Sequence, residues 1–140
     1  ASAVLAVNGS GEACMVRQYR APLGRITLEI PAGKLEKKGG DPLESAMREL
    51  SEETGLSAQN WRHLTKIHTS VGFCDEEIDL YLATGLSQGE QHPDEDEFVE
   101  VCYMPVAELL AMAQSGAISD CKTVCALLLA KPLLENSTVL

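Results

Sequence analysis

The chain has 140 residues, 45% of them hydrophobic and 23% charged, which suffices for one compact domain with a real core. Its 11 Lys and Arg against 21 Asp and Glu leave a net charge of −10, which repels a nucleic-acid backbone, and 4% aromatic content excludes the stacking platforms of single-strand binders. Such a chain can still hold a phosphate compound where cations intervene, although solubility accounts for most of the charge.

In chain order, Ala3-Val4-Leu5-Ala6-Val7 reads as a buried strand, Asn8 to Gly11 as a turn, and Ala13 to Tyr19 as the returning strand of a hairpin. Ile26 to Ile30 alternates as a strand, and Pro31 opens a loop. Asp41-Pro42-Leu43-Glu44 predicts a helix start: Asp41 caps, Pro42 suits the first position, and Glu44 completes a capping box. The helix is predicted over Pro42 to Thr54, with Leu43, Met47 and Leu50 toward the core and Gly55 as a left-handed stop. Trp61 to Thr69, Ile78 to Thr84 and Phe98 to Tyr103 read as strands, with an acidic loop from Gln88 to Glu97. Pro105 starts a helix carrying Val106, Leu109, Leu110 and Met112; Ser119-Asp120 caps a last one with Val124, Leu127 and Leu128 on its face. There is no linker or internal repeat, and the order of elements predicts an α+β domain over residues 1–140.

Cys14, Cys74, Cys102, Cys121 and Cys125 are odd in number and form no CxxC pair, so no disulfide framework or zinc site is expected. The helical spacing of Cys121 and Cys125 suggests small buried residues. Ala126 to Ala130 is the longest apolar run near the end, too short to span a bilayer. With no signal-peptide pattern either, the expectation is a cytoplasmic protein with no membrane or nucleic-acid partner.

The chemistry concentrates in Arg48-Glu49-Leu50-Ser51-Glu52-Glu53-Thr54-Gly55-Leu56. Carboxylates at i, i+3 and i+4 crowd one helix face and repel. A hard divalent cation removes that conflict, and Mg²⁺ suits diphosphate chemistry. A Glu-rich helix face is ordinarily just solvated. Here, however, the stretch resembles the second half of the Nudix box. Arg48, Glu49, Glu52, Glu53 and Gly55 fill its five fixed positions, and Leu50 and Leu56 its two apolar ones. A chance match is on the order of 10⁻⁷–10⁻⁸ per start position. Gly33 fits the first half, but Gly40 stands where the pattern has glutamate, and the spacing between them is one residue too long. That departure leaves the number of metals per site open.

Val16 to Arg20, Leu28 to Gly33, Gly72 to Glu76 and Asp120 to Thr123 are similar to the ADP-ribose pyrophosphatase branch of the Nudix family. The resemblance implies the Nudix fold, a mixed β-sheet sandwiched between α-helices, with the box as loop–helix–loop. It implies hydrolysis of a nucleoside diphosphate derivative, ADP-ribose to AMP and ribose 5-phosphate, with Mg²⁺ or Mn²⁺ as cofactor. Metal would be held by the Ala32 carbonyl, Glu49, Glu52, Glu53 and Glu97; Gly33, Arg48 and Gly55 would be structural. The Glu95-Asp96-Glu97 loop would supply the catalytic base, Glu95, and a metal contact, Glu97, with the reverse order open and Glu52 as a further catalytic carboxylate. Arg20, Arg17 and Glu76 would contact substrate. Another nucleotide sugar or a dinucleotide as substrate, and a non-hydrolysing nucleotide-binding module, remain alternatives. The branch carries an N-terminal strand segment that helps form a dimer; it is expected to be absent here, which leaves a homodimer open.

Overall fold

The computed structural model describes residues 1–35, 37–90 and 99–136. β1 (Ser2–Ala6) is buried along its whole length and lies inside a four-stranded sheet of order β4-β1-β6-β5. Its neighbours are β4 (Ala32–Gly33), antiparallel, and β6 (Glu77–Gln88), parallel; β5 (Leu56–His68) pairs antiparallel with β6 at the edge. A second, antiparallel sheet of order β3-β2-β7 joins β2 (Glu12–Arg20), β3 (Arg25–Glu29) and β7 (Glu100–Pro105).

The expected hairpin of the first two strands does not form. Asn8 turns the chain, its side chain accepting from the Ser10 and Glu12 amides, but only Val7 and Ala13 pair across the turn. β1 is flanked on both edges, so β2 leaves for the other sheet. The strand segment Ala32–Gly33, expected as loop, is short enough to escape a period-2 reading. β5 begins at Leu56, directly after the helix stop; its polar residues Ser57, Gln59 and Asn60 conceal it because an edge strand tolerates them.

Alternation along β1 and β6 sends side chains to two cores. Leu5, Leu80 and Leu82 pack with Met15 and Ile30 under α2 (Val106–Ser115) and α3 (Cys121–Glu135). Val4, Ala6, Tyr81 and Ala83 pack on the other side under Ala46 and Leu50 of α1 (Pro42–Thr54). The mixed sheet is thus sandwiched between helices, as expected. Two details of the helix faces differ. Met47 is 41% exposed and Leu128 is 48% exposed, while Ala46 and Ala126 take the buried positions. Cys121 is likewise exposed and Cys125 only partly covered, so that pair is not the buried one its spacing suggested.

The ends of α1 coincide with the sequence signals. The Asp41 carboxylate accepts from the Leu43 amide at 2.9 Å, with Pro42 at the first turn. Gly55 is left-handed, φ 77°, and its amide donates to the Ser51 carbonyl at 2.8 Å. A Cβ on Gly55 would come 2.5 Å from the Gly89 carbonyl oxygen. Gly55→Ala is therefore expected to cost about 1–2 kcal/mol for the left-handed backbone and more for the clash. Urea unfolding measures this, and a loss well under 1 kcal/mol would contradict the cap geometry.

Candidate active site

Of the three helix carboxylates, α1 buries two. Glu49 and Glu53, one turn apart, are 8% and 4% exposed beside Leu50, whereas Glu52 is half-buried, 3.9 Å from Arg48. Arg48 holds this end of the helix to the preceding loop. Its Nη2 donates to the Lys34 carbonyl at 3.2 Å and to Ser45 Oγ at 3.4 Å, and its Nη1 is 3.5 Å from Glu49. The Glu49 carboxyl rests directly on the Cα of Gly33: a Cβ there would fall inside the carboxyl group. Glycine at 33 is thus a requirement of close approach.

These groups form one wall of a cleft of about 810 Å³ that also receives Arg20, Glu29, Ala32, Thr69, Glu76 and Lys122. Across from α1, Glu29 is 2% exposed and fully engaged. Its Oε1 accepts from Arg20 Nη2 at 2.7 Å and Lys122 Nζ at 2.6 Å; its Oε2 accepts from Arg20 Nε at 2.8 Å and from the Thr27 hydroxyl. Four donors fill the roughly four acceptor positions of a carboxylate. Burial pushes the Glu29 pKa up, but the bonds from Arg20, Lys122 and Thr27 outweigh it and hold it at about 2. Glu29 therefore stays ionised at neutral pH, with no capacity left to bind metal or accept a proton. Lys122 also donates to Asp120, which accepts from Thr123, and Thr123 accepts from the Ile30 amide. On the last wall, Thr69 donates to Glu76 at 2.8 Å.

The cleft brings together Arg20, Ala32, Gly33, Arg48, Glu49, Glu53 and Glu76 among the residues singled out from sequence. Arg17 is not among them. It pairs across β2–β3 with Leu28, on the opposite face from Arg20, lies 3.8 Å from Glu100, and borders a separate cleft of about 280 Å³ with Arg25 and Met112. Glu52 does not line the main cleft. Glu95 and Glu97 lie outside the described residues. Sequence reasoning missed Glu29, Lys122 and Asp120. The available signal was a glutamate inside an apolar strand, at a position that structure makes inward-facing.

Among the described residues, no three acidic, histidine or cysteine side chains form a complete metal cage. The cleft is lined by Glu49, Glu53 and Ala32, whose carboxylates and main-chain carbonyl would make an all-oxygen set. That set fits a hard cation such as Mg²⁺, which keeps several waters and takes further oxygens from a phosphate substrate. Cys14 is fully buried, and burial pushes its pKa up to about 11, which disfavours a thiolate there. No described helix is long and apolar enough to cross a membrane.

The NUDIX domain family matches residues 1–124. An ADP-ribose pyrophosphatase of Bacillus subtilis (strain 168) is 46% identical over 129 residues, covering 91% of this chain and 69% of that protein. A methanol dehydrogenase activator of Bacillus methanolicus is 47% identical over 128 residues, 90% of this chain and 69% of that one. A solved structure described as an ADP compounds hydrolase superposes with a TM-score of 0.84 over 99% of this chain and 75% of its own, at 22% identity, and shares the fold.

The contact of Gly33 with Glu49 predicts a coupled pair of substitutions. Gly33→Ala should destabilise the parent by about 1–3 kcal/mol through overpacking. In a Glu49→Ala background the same change should be close to neutral. Equal costs in both backgrounds, measured by denaturant unfolding, would show that the two residues do not share that space.

Proposed function

The chain belongs to the NUDIX family, and from that premise we propose that it is a divalent-metal-dependent pyrophosphohydrolase cutting the diphosphate of a nucleoside diphosphate derivative, ADP-ribose first among them. The observation that carries this reading is the convergence of Glu49, Glu53, the Ala32 strand and Arg20 in one cleft. Glu49, Glu53 and the Ala32 carbonyl, with Glu52 and Glu97 as further candidates, would hold Mg²⁺ or Mn²⁺. Such a cation offsets diphosphate charge and lowers the pKa of a bound water.

The chain's own residues supply the rest. Gly33 leaves room for the Glu49 carboxyl, and Arg48 ties the loop after it to α1. Arg20 offers a fixed guanidinium to the diphosphate or ribose, and Glu76 borders the far wall. Glu95 takes the proton from the attacking water, with Glu97 toward metal or in the reverse order; this assignment rests on likeness to the branch. Water attacks phosphorus, and ADP-ribose yields AMP and ribose 5-phosphate. A homodimer and a cytoplasmic setting accord with this reading.

The similarly close B. methanolicus relative bears a different name, so the substrate is the point to test. A panel of ADP-ribose, other sugar nucleotides and dinucleotides, read as released phosphomonoester, should be led by ADP-ribose. Gly40, in place of the box glutamate, favours a second reading, a nucleotide-binding module without turnover. Binding without hydrolysis across the panel would establish it.

Two expectations follow from the metal and the base. Activity should vanish with chelator and return with Mg²⁺, and Glu53→Gln should keep the fold while lowering turnover by on the order of 10²-fold. A near-normal rate in either experiment contradicts the metal role. Glu95→Gln or Glu97→Gln should lower kcat far more than it raises KM, since a proton acceptor acts in the transition state. Only the metal-contact variant of the two should lose metal affinity, and parent-like turnover in both would move the base elsewhere.

A further inference from the structure

Arg20 uses one edge of its guanidinium on Glu29, through Nε at 2.8 Å and Nη2 at 2.7 Å. A planar fork held along that edge has a fixed orientation. Its remaining nitrogen, Nη1, is not used in the bonds to Glu29, and the side chain, which also feels the charges of Asp120 and Glu53, is 42% exposed where it lines the cleft. Glu29 cannot move to follow a ligand. It is buried, its acceptor positions are filled, and Lys122 ties it to Asp120 at the start of α3. Of the carboxylates lining the cleft, Glu49 and Glu53 stand on α1, Glu76 on the far wall, and Asp120 and Glu29 share Lys122, with Glu29 alone holding Arg20.

We propose that Glu29 is a positioning residue for substrate binding, fixing the plane of Arg20 so that Nη1 is presented to the diphosphate. This deepens the proposed function and rests on it, since the anion that Nη1 would meet is the diphosphate of the nucleotide sugar. Glu29 itself touches no substrate atom. Its contribution is preorganisation: an arginine free to rotate would have to lose that freedom on binding. The role differs from structural ion pairing in one respect. It acts only through Arg20.

A double-mutant cycle tests this. Binding of the uncleavable α,β-methylene analogue of ADP-ribose is measured calorimetrically with Mg²⁺ present, and binding of inorganic diphosphate is measured in parallel. Arg20→Ala and Glu29→Gln should each weaken binding about tenfold or more. The double variant should be no weaker than Arg20→Ala alone. Losses that multiply would overturn the proposal, because Glu29 would then act independently of Arg20. Arg20→Lys avoids the buried site and guards against a Glu29 variant that fails to fold. It keeps the charge but loses the fork, so it should bind as weakly as Arg20→Ala; parent-like affinity would overturn the proposal. If the coupling holds for diphosphate while the ADP-ribose analogue does not bind, the substrate reading fails and the positioning role stands. If the parent binds neither probe, both fail.

Discussion

The carboxyl group of Glu49 occupies the volume that a side chain at position 33 would need. Everything around the site is arranged to keep that contact. Pairing of Ser2 with Gly33 and Ala3 with Ala32 fixes the strand backbone beneath it. The Ser2 hydroxyl donates to the Pro42 carbonyl at 2.7 Å, which ties the start of α1 to β1, the strand paired with β4. Arg48 holds the loop at Lys34, and Leu50 and Ala46 anchor the helix in the core. Burying two carboxylates one turn apart costs free energy. Arg48, 3.5 Å from Glu49, and the packing of Ala46 and Leu50 help to offset that cost.

Glu29 stands across the same cleft as a carboxylate of opposite character. Four donors saturate it and hold it ionised, at about 2, against the effect of burial. Glu29, Glu49 and Glu53 are all under a tenth exposed, and the donors on Glu29 come from β2, β3 and α3. A diphosphate has negative charge at its centre. In the proposed reading it would be received between a cation held on α1 and the guanidinium of Arg20 on β2. The net charge of −10 says little about this; local pairing decides it.

Much of the fold was legible because independent signals agreed. For α1, the Asp41 cap, Pro42, the box pattern and Gly55 all mark the same segment, and the structure has Pro42–Thr54. The family likeness also marked the loop–helix–loop, and seven of the residues it singled out, Arg20, Ala32, Gly33, Arg48, Glu49, Glu53 and Glu76, line one cleft. What was hidden depended on pairing partners. The partition of β1 and β2 into different sheets follows from β6 lying parallel to β1, a contact between residues more than seventy apart. Arg17 and Arg20 are three apart in β2, so alternation already puts them on opposite faces; which of the two faces the cleft is what only the fold shows, and it is Arg20. β3 inverts the usual rule: Ile26 is 65% exposed and Glu29 is buried. Apolar periodicity therefore pointed away from the buried charge network, whose partner Lys122 is contributed by another element altogether.

In the proposed reading, hydrolysis depends on a cation held by Glu49, Glu53 and the Ala32 carbonyl. Anomalous diffraction from crystals soaked with Mn²⁺ and the uncleavable ADP-ribose analogue tests it most directly. A manganese peak is expected between these three groups and the diphosphate of the ligand. A ligand bound in the cleft with no manganese against Glu49 or Glu53, or manganese bound only elsewhere, would contradict it.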